Sequence, residues 1–125
     1  MMHPYLPKRN DIIFIDFEPV KGKEIGKVRP ALVLSSEEYN KKTGLVIICP
    51  ISTSIRGGET EVPINNLEKP SVVTASLIQT LSWRKSKFAA VAEPAVIDEV
   101  LARLIPLIGA AHLFSHLDSF PVKYA

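Results

Sequence analysis

The stretch that decides the fold is DIIFIDFEPVKGKEIGKVRPALVL, residues 11–34. Two apolar runs, Asp11 to Phe17 and Ala31 to Leu34, flank a polar segment. β-Branched and aromatic residues favour strands, while Gly22 and Gly26 give the segment between the runs backbone freedom. The pattern predicts two strands joined by a loop, with a glutamate, three lysines and an arginine on or beside that loop.

Short β-type runs separated by turn residues continue outward from this stretch until a helical pattern begins at Pro94. The second strand is predicted at Val28 to Ser35, a short helical turn at Ser36 to Asn40, and further strands at Leu45 to Ser52, Glu61 to Ile64, within Ser71 to Leu81, and at Lys87 to Ala92. Several strands followed by one helix predict a mainly β fold, a small antiparallel barrel with a C-terminal helix packed on it.

Two prolines set further expectations. Pro30 has no N–H, so we expect its strand to lie at an edge or a bulge there. The apolar positions of the helix recur at three- and four-residue steps, at Ile97, Val100, Leu101, Leu104, Leu107 and Ile108. Pro106 should kink this helix or end its regular part early.

Length and composition point to one ordered domain, residues 1–125. The chain is 46% hydrophobic and 22% charged, which is typical of a globular protein. No run approaches 18 apolar residues, so we expect no membrane partner. The first ten residues lack the apolar core of a secretory signal, and Cys49 is the one cysteine. Both features favour the reducing cytoplasm.

The net charge of +2 is too small for a strongly basic nucleic-acid-binding domain. Its distribution is uneven, because residues 1–56 hold nine Lys/Arg against six Asp/Glu, and residues 57–125 hold six against seven. This asymmetry hints at an anionic partner near the first half, although an ordinary solvated face explains it too.

Several common catalytic motifs are missing: CxxC, HExxH, GxxxxGK[ST] and GxSxG. The three histidines are His3, His112 and His116. His112 and His116 have the spacing of a helical metal pair, but two surface histidines in a tail are the simpler interpretation. We therefore predict no metal site and no histidine acid–base chemistry.

Glu24 and Arg29 could perform chemistry that needs neither a metal ion nor a histidine. RNA carries its own nucleophile, the ribose 2′-hydroxyl, and its cleavage needs a base, cationic donors for the phosphate and a proton source for the leaving oxygen. A loop glutamate can serve as the base, and an arginine can bind two phosphate oxygens. Spacing alone allows the alternative that Glu24 pairs with Lys21, Lys23 or Lys27 on a solvated loop.

The segment from Lys21-Gly22 and Glu24 into Val28-Arg29-Pro30-Ala31-Leu32-Val33-Leu34 resembles the signature of the MazF/PemK family of bacterial toxin endoribonucleases, and is closest to its MazF branch. Further matching segments are Asp11 to Ile13, Asp16 to Pro19, Tyr39 to Gly44, Pro50 to Thr53, Trp83-Arg84 and Leu107 to Gly109. The resemblance covers about Tyr5 to Gly109 and leaves the tail, residues 110–125, unexplained. The motifs are specific when taken together.

The resemblance implies a toxin of a type II toxin–antitoxin system that cuts single-stranded RNA at short sequences, with no metal or other cofactor. It also implies an SH3-like barrel, a homodimer and a cognate antitoxin. The implied catalytic residues are Glu24 as general base, Arg29 as transition-state stabiliser and proton donor, and Ser52, which replaces a family threonine, on phosphate. The predicted RNA-binding residues are Lys21, Lys23, Lys27, Thr53, Arg56, Gln79 and Arg84.

Many relatives have Asp-Gln where this chain has Ser76-Leu77, so an altered target sequence or weaker activity is one expectation. Two other functions stay open. Gyrase-poisoning toxins of the same barrel superfamily act by protein contact, but their Trp-Gly-Ile ending differs from Lys123-Tyr124-Ala125 here. A degenerate relative could bind RNA or antitoxin without cutting, although retention of Glu24 and Arg29 argues against it.

Overall fold

The computed structural model describes residues 5–17 and 27–114. Within these ranges the elements follow the predicted order. The strands are β1 (Asp11–Asp16), β2 (Val28–Val33), β3 (Leu45–Ser52), β4 (Glu61–Ile64), β5 (Ser71–Thr74), β6 (Gln79–Ser82) and β7 (Lys87–Val91). The helices are α1 (Glu37–Thr43) and α2 (Pro94–Leu107), followed by a 3₁₀ turn at Ala111–Phe114. None of the helices in these ranges is long and apolar enough to cross a membrane.

The strand β3 is the centre about which the sheet curls. One edge of β3 pairs with β2, while the other edge pairs with β6 near its start and with β5 at its end. The strand order is β4-β5-β3-β2-β1-β7, with β6 beside β3, and the pairs are antiparallel. Because β5 and β6 share one edge of β3, the strands form a curled sheet rather than a flat one. The predicted mainly β, antiparallel fold with a C-terminal helix is confirmed.

Apolar side chains are buried on both faces of this sheet, because successive side chains of each strand point to opposite faces. One face forms a core with α2, which contributes Val96, Ile97, Val100 and Leu104. On the other face lies a second cluster of buried side chains: Ile13, Ile15, Ala31, Val33, Val46 and Ile48. Each fully buried aliphatic side chain stabilises the fold by about 1.5–3 kcal/mol. These two layers fix β2 from Ala31 to Val33, whereas Val28 and Arg29 at its start are exposed.

Pro30 lies on a local edge inside the sheet, as its missing N–H requires. The strand β2 runs between β1 and β3, but its pairing with β3 covers only Ala31 to Val33. Pro30 pairs with Phe14 on the β1 side and has no partner residue on β3. The first half of β2 therefore has one open side, and this opening forms part of the groove described below.

The helices differ from the predictions in length. Ser36 caps α1, since its Oγ accepts the N–H of Tyr39 at 3.2 Å, but α1 spans seven residues rather than one turn. The helix α2 contains Pro106 and ends one residue after it, at Leu107. Leu107 and Ile108 are exposed instead of buried, because the helix ends there and Gly109 adopts a φ of 76°.

Candidate functional site: a groove at the ends of β2 and β3

A groove of about 470 Å³ opens where β2 begins and β3 ends. It brings together three residues that the sequence predicted as functional: Arg29, Ser52 and Arg56. Arg29 and Arg56 are exposed and Ser52 is half-buried, so all three side chains can reach a ligand from solvent. Two guanidinium groups and a hydroxyl are suited to phosphate oxygens, which accept charge-assisted hydrogen bonds.

The strand register explains why Arg29 and Ser52 meet. The last paired residues of β2 and β3 are Ala31 and Pro50. Arg29 and Ser52 each lie two residues further along their strands, on the same face of the sheet, because side chains alternate with a period of two. The groove therefore lies directly beyond the last hydrogen-bonded pair, where the open side of β2 leaves room for a ligand.

The Ser52 hydroxyl is oriented by the chain that follows it. Its Oγ accepts the N–H of Ser54 at 3.0 Å. A hydroxyl has one proton to donate, and accepting a hydrogen bond does not consume that proton. Ser52 can therefore donate to a phosphate oxygen while the Ser54 amide holds its oxygen in place.

Two more predicted residues lie beside the groove without lining it. Thr53 is exposed and directly follows Ser52 at the end of β3. Lys27 is exposed at the entrance to β2, where its carbonyl accepts the N–H of Phe17 at 2.8 Å. Glu24, Lys21 and Lys23 lie outside the described residues, so their roles stay predictions.

Gln79 and Arg84 do not join this group. Gln79 is exposed on β6, opposite Ile48 in the middle of β3. Arg84 follows β6 at the other end of β3, since Ser82 pairs with Leu45. Ser52 lies seven residue steps along β3 from Leu45, which corresponds to roughly 23 Å. A role for Arg84 in RNA binding would require an RNA chain that extends across the sheet, from the groove to the far end of β3.

The groove also contains residues that carry no functional signal in the sequence. Glu61 and Thr74 line it because β4 and β5 continue the sheet beyond β3, and their register places Glu61 opposite Thr74. These contacts join residues far apart in the chain, so no local motif reveals them. Leu77 lines the groove as well and is 55% exposed, which places the Ser76-Leu77 departure at the candidate site.

Trp83 has a structural role. Its Nε1–H donates to the carbonyl of Asn40 at 2.7 Å, and its half-buried ring packs against the second core cluster. Among the described residues no three His, Cys, Asp or Glu side chains are grouped so that they could hold a metal ion. His112 lies in the 3₁₀ turn after α2, and His116 lies outside the described residues.

The fold is a curled, antiparallel half-barrel sheet with the helices α1 and α2, and the lining of its groove includes two arginines and a serine. A family model for PemK-like, MazF-like toxins of type II toxin–antitoxin systems matches residues 8–108. The endoribonuclease toxin MazF of Escherichia coli K12 is 36% identical over 112 residues, covering 87% of this chain and all of that protein.

Solved structures of MazF agree with this match. MazF from Deinococcus radiodurans superposes with a TM-score of 0.74 at 36% identity, over 84% of this chain and 98% of that one. A MazE–MazF structure from the same organism gives a TM-score of 0.75 at 36% identity, over 84% and 97% of the two chains. The chain belongs to the PemK/MazF family of toxins, as the sequence motifs predicted.

Proposed function

We propose that this chain is a toxin that cleaves single-stranded RNA at short sequences without a metal ion. The observation that carries the proposal is the meeting of Arg29, Ser52 and Arg56 in one open groove at the ends of β2 and β3. Family membership supports it, because curated relatives are named endoribonucleases. The groove offers three donors for phosphate and needs no metal to bind it.

In the proposed mechanism the ribose 2′-hydroxyl attacks the neighbouring phosphorus. The Arg29 guanidinium donates to two phosphate oxygens and stabilises the charge that develops in the transition state. Ser52 donates its hydroxyl proton to one of these oxygens, and Arg56 binds an adjacent phosphate. Removing the donors would raise the barrier to reaction even if RNA still bound.

Two proton transfers complete the reaction. Glu24, on the loop before β2, removes the proton of the 2′-hydroxyl as general base. Arg29 supplies the proton to the leaving 5′-oxygen. The products are a 2′,3′-cyclic phosphate, or the 3′-phosphate formed from it, and a 5′-hydroxyl end.

The proposal includes two protein partners and a cellular location. The MazE–MazF structures from Deinococcus radiodurans support a cognate antitoxin for this chain. We further propose that the toxin forms a homodimer. It acts in the cytoplasm, where messenger RNA is accessible and the one cysteine stays reduced.

A binding protein without nuclease activity is the second candidate, and Leu77 favours it. This exposed side chain in the groove has no donor or acceptor, so it cannot hydrogen-bond to a base edge or a phosphate there. A gyrase-directed toxin is the remaining alternative, and no contact in the groove favours it.

The test is incubation of purified protein with a long single-stranded RNA in the presence of EDTA, with both ends of each fragment identified. Recurrent cuts at one short sequence, with 5′-hydroxyl ends, would support the proposal, and Glu24→Ala should abolish them. If the wild-type protein at stoichiometric concentration leaves the RNA intact, or cuts only after Mg²⁺ is added, the proposal fails. Binding to RNA, antitoxin and gyrase would then separate the alternatives.

A further inference from the structure

The Glu61 carboxylate holds the main chain on both sides of the Arg56 Cα atom. Its Oε1 accepts the N–H of Gly57 at 2.8 Å and that of Arg56 at 3.2 Å, and its Oε2 accepts the Arg56 N–H at 3.2 Å. Charge-assisted hydrogen bonds of this kind are stronger than those between neutral groups. The position from which the Arg56 side chain leaves the loop is therefore fixed by one carboxylate at the start of β4.

The other end of the same loop is attached to α2. The Arg103 Nε donates to the Glu59 carbonyl at 3.1 Å, and its Nη1 is held by the Glu99 carboxylate at 2.7 Å. Gly57 adopts a φ of 79°, a conformation that glycine reaches without strain, and this allows the chain to turn around the Glu61 carboxylate. The loop between β3 and β4 is thus fixed at both ends although it is exposed.

A carboxylate in this groove requires an explanation. Glu61 is the one acidic residue among the described residues that line the groove, beside Arg29 and Arg56. A free carboxylate there would repel an approaching phosphate. Its two oxygens instead accept main-chain N–H groups, whose positive ends partly offset its negative charge.

We propose that Glu61 is a positioning residue for RNA binding, which acts by holding Arg56 at the groove. The proposal rests on the proposed function, because Arg56 is taken to bind an RNA phosphate. The opposite role is conceivable from the same contacts: the N–H groups of Arg56 and Gly57 form a concave anion site, which Glu61 would then block. The two roles predict opposite effects of removing the carboxylate.

The test compares Glu61→Ala, Glu61→Gln and Glu59→Gln in the full-length protein. Alanine removes all acceptors, whereas glutamine keeps one oxygen acceptor and loses the charge. Glu59→Gln removes the same charge from the same loop but leaves the Glu59 carbonyl on Arg103. Affinity is measured with a single-stranded oligonucleotide that contains 2′-deoxyribose at the cut position, and KM and kcat with the matching RNA.

We expect Glu61→Ala to weaken binding and raise KM by about three- to tenfold, which corresponds to the loss of one net hydrogen bond. The kcat should stay within twofold, Glu61→Gln should give a smaller effect, and Glu59→Gln should leave KM within twofold. In an Arg56→Ala background, Glu61→Ala should add nothing further, since the group that it positions is gone.

Three results would overturn the proposal. Tighter RNA binding by Glu61→Ala would show that Glu61 blocks the anion site. Equal effects of the alanine and glutamine variants would show that only the charge of Glu61 matters and not its hydrogen bonds to the loop. Additive effects of Glu61→Ala and Arg56→Ala would show that Glu61 acts through a group other than Arg56. Thermal unfolding and amide exchange at Arg56 and Gly57 check the fold and the loop without RNA. Binding of the deoxy oligonucleotide without cleavage of the RNA would refute the proposed nuclease activity and still measure the role of Glu61.

Discussion

Arg29 and Ser52 lie on the same face of β2 and β3, each two residues beyond the last paired residues, Ala31 and Pro50. The sheet thus provides a rigid base for both side chains but forms no ladder hydrogen bonds between them. Groups held on strands keep their geometry better than groups on free loops. The relative placement of Arg29 and Ser52 is therefore set by the sheet, as the proposed phosphate-binding role requires.

This arrangement predicts a hydroxyl requirement at position 52. Ser52→Ala should lower kcat for RNA cleavage by about 10- to 100-fold, because a hydrogen bond to a charged phosphate is lost. Ser52→Thr keeps the hydroxyl and suits a strand, so it should retain activity near that of wild type. Steady-state cleavage of one mapped oligonucleotide measures both variants. Equal losses in alanine and threonine would show that the hydroxyl does not act on phosphate.

A second prediction concerns the buried side chain of Asn40, which joins α1 to the rest of the fold. Its Nδ2 donates to the carbonyl of Pro7 at 2.8 Å, and its Oδ1 accepts the hydroxyl proton of Ser35. Asn40→Ala removes the donor to the Pro7 carbonyl and the acceptor of the Ser35 hydroxyl proton, although the Ser35 oxygen still accepts the N–H of Ile47. It should lower the free energy of unfolding by about 2 to 3 kcal/mol. Urea unfolding measures the change. Asn65→Ala, at an exposed position, serves as the control and should cost less than about 0.5 kcal/mol.

A third prediction concerns pH, because burial raises the pKa of the Cys49 thiol to about 12. An unfolded cysteine ionises near pH 8.5, so between these values the unfolded state binds fewer protons than the folded state. The contribution to stability is complete below about pH 8.5 and is lost as pH rises towards 12. Cys49→Ala should make the fall in unfolding free energy above pH 9 less steep.

Denaturation at fixed pH values from 7 to 11 tests this prediction. The pKa of Tyr5 is raised as well, by burial and then by its hydrogen bond to the Asp11 carboxylate. A residual slope above pH 10 is therefore expected in Cys49→Ala. Parallel pH curves for wild type and variant would contradict the assignment to Cys49.

The fold was largely predictable because its signals are local. The strands β3 and β4 have the limits that were predicted from runs rich in Val and Ile, and α2 begins at Pro94 as predicted. The prediction ended α1 at Asn40, but the helix continues through Lys41, Lys42 and Thr43. It ends only at Gly44, which adopts the left-handed conformation of a helix C-cap. The three- and four-residue spacing of apolar residues placed Leu107 on the apolar face of α2. Leu107 is exposed because the helix ends at this residue.

The groove was predictable only in part. Arg29, Ser52 and Arg56 belong to recognisable motifs near the ends of β2 and β3. Glu61 reaches the groove through the pairing of β4 with β5 and of β5 with β3, which a sequence pattern does not specify. Arg84 belongs to a family motif as well, but the register of β6 on β3 carries it to the far end of the sheet.

The most direct test of the account is single-turnover cleavage of a mapped RNA oligonucleotide in EDTA by wild type and Arg29→Ala. Arg29 is exposed, so the substitution should change the free energy of unfolding by no more than about 0.5 kcal/mol. The cleavage rate of Arg29→Ala should be at least about 100-fold lower than that of wild type, as expected when one transition-state donor is removed. Arg29→Lys keeps the charge but loses the fork, and should stay well below wild type. If a folded Arg29→Ala protein cleaves at the wild-type rate, the groove at the ends of β2 and β3 is not the catalytic site.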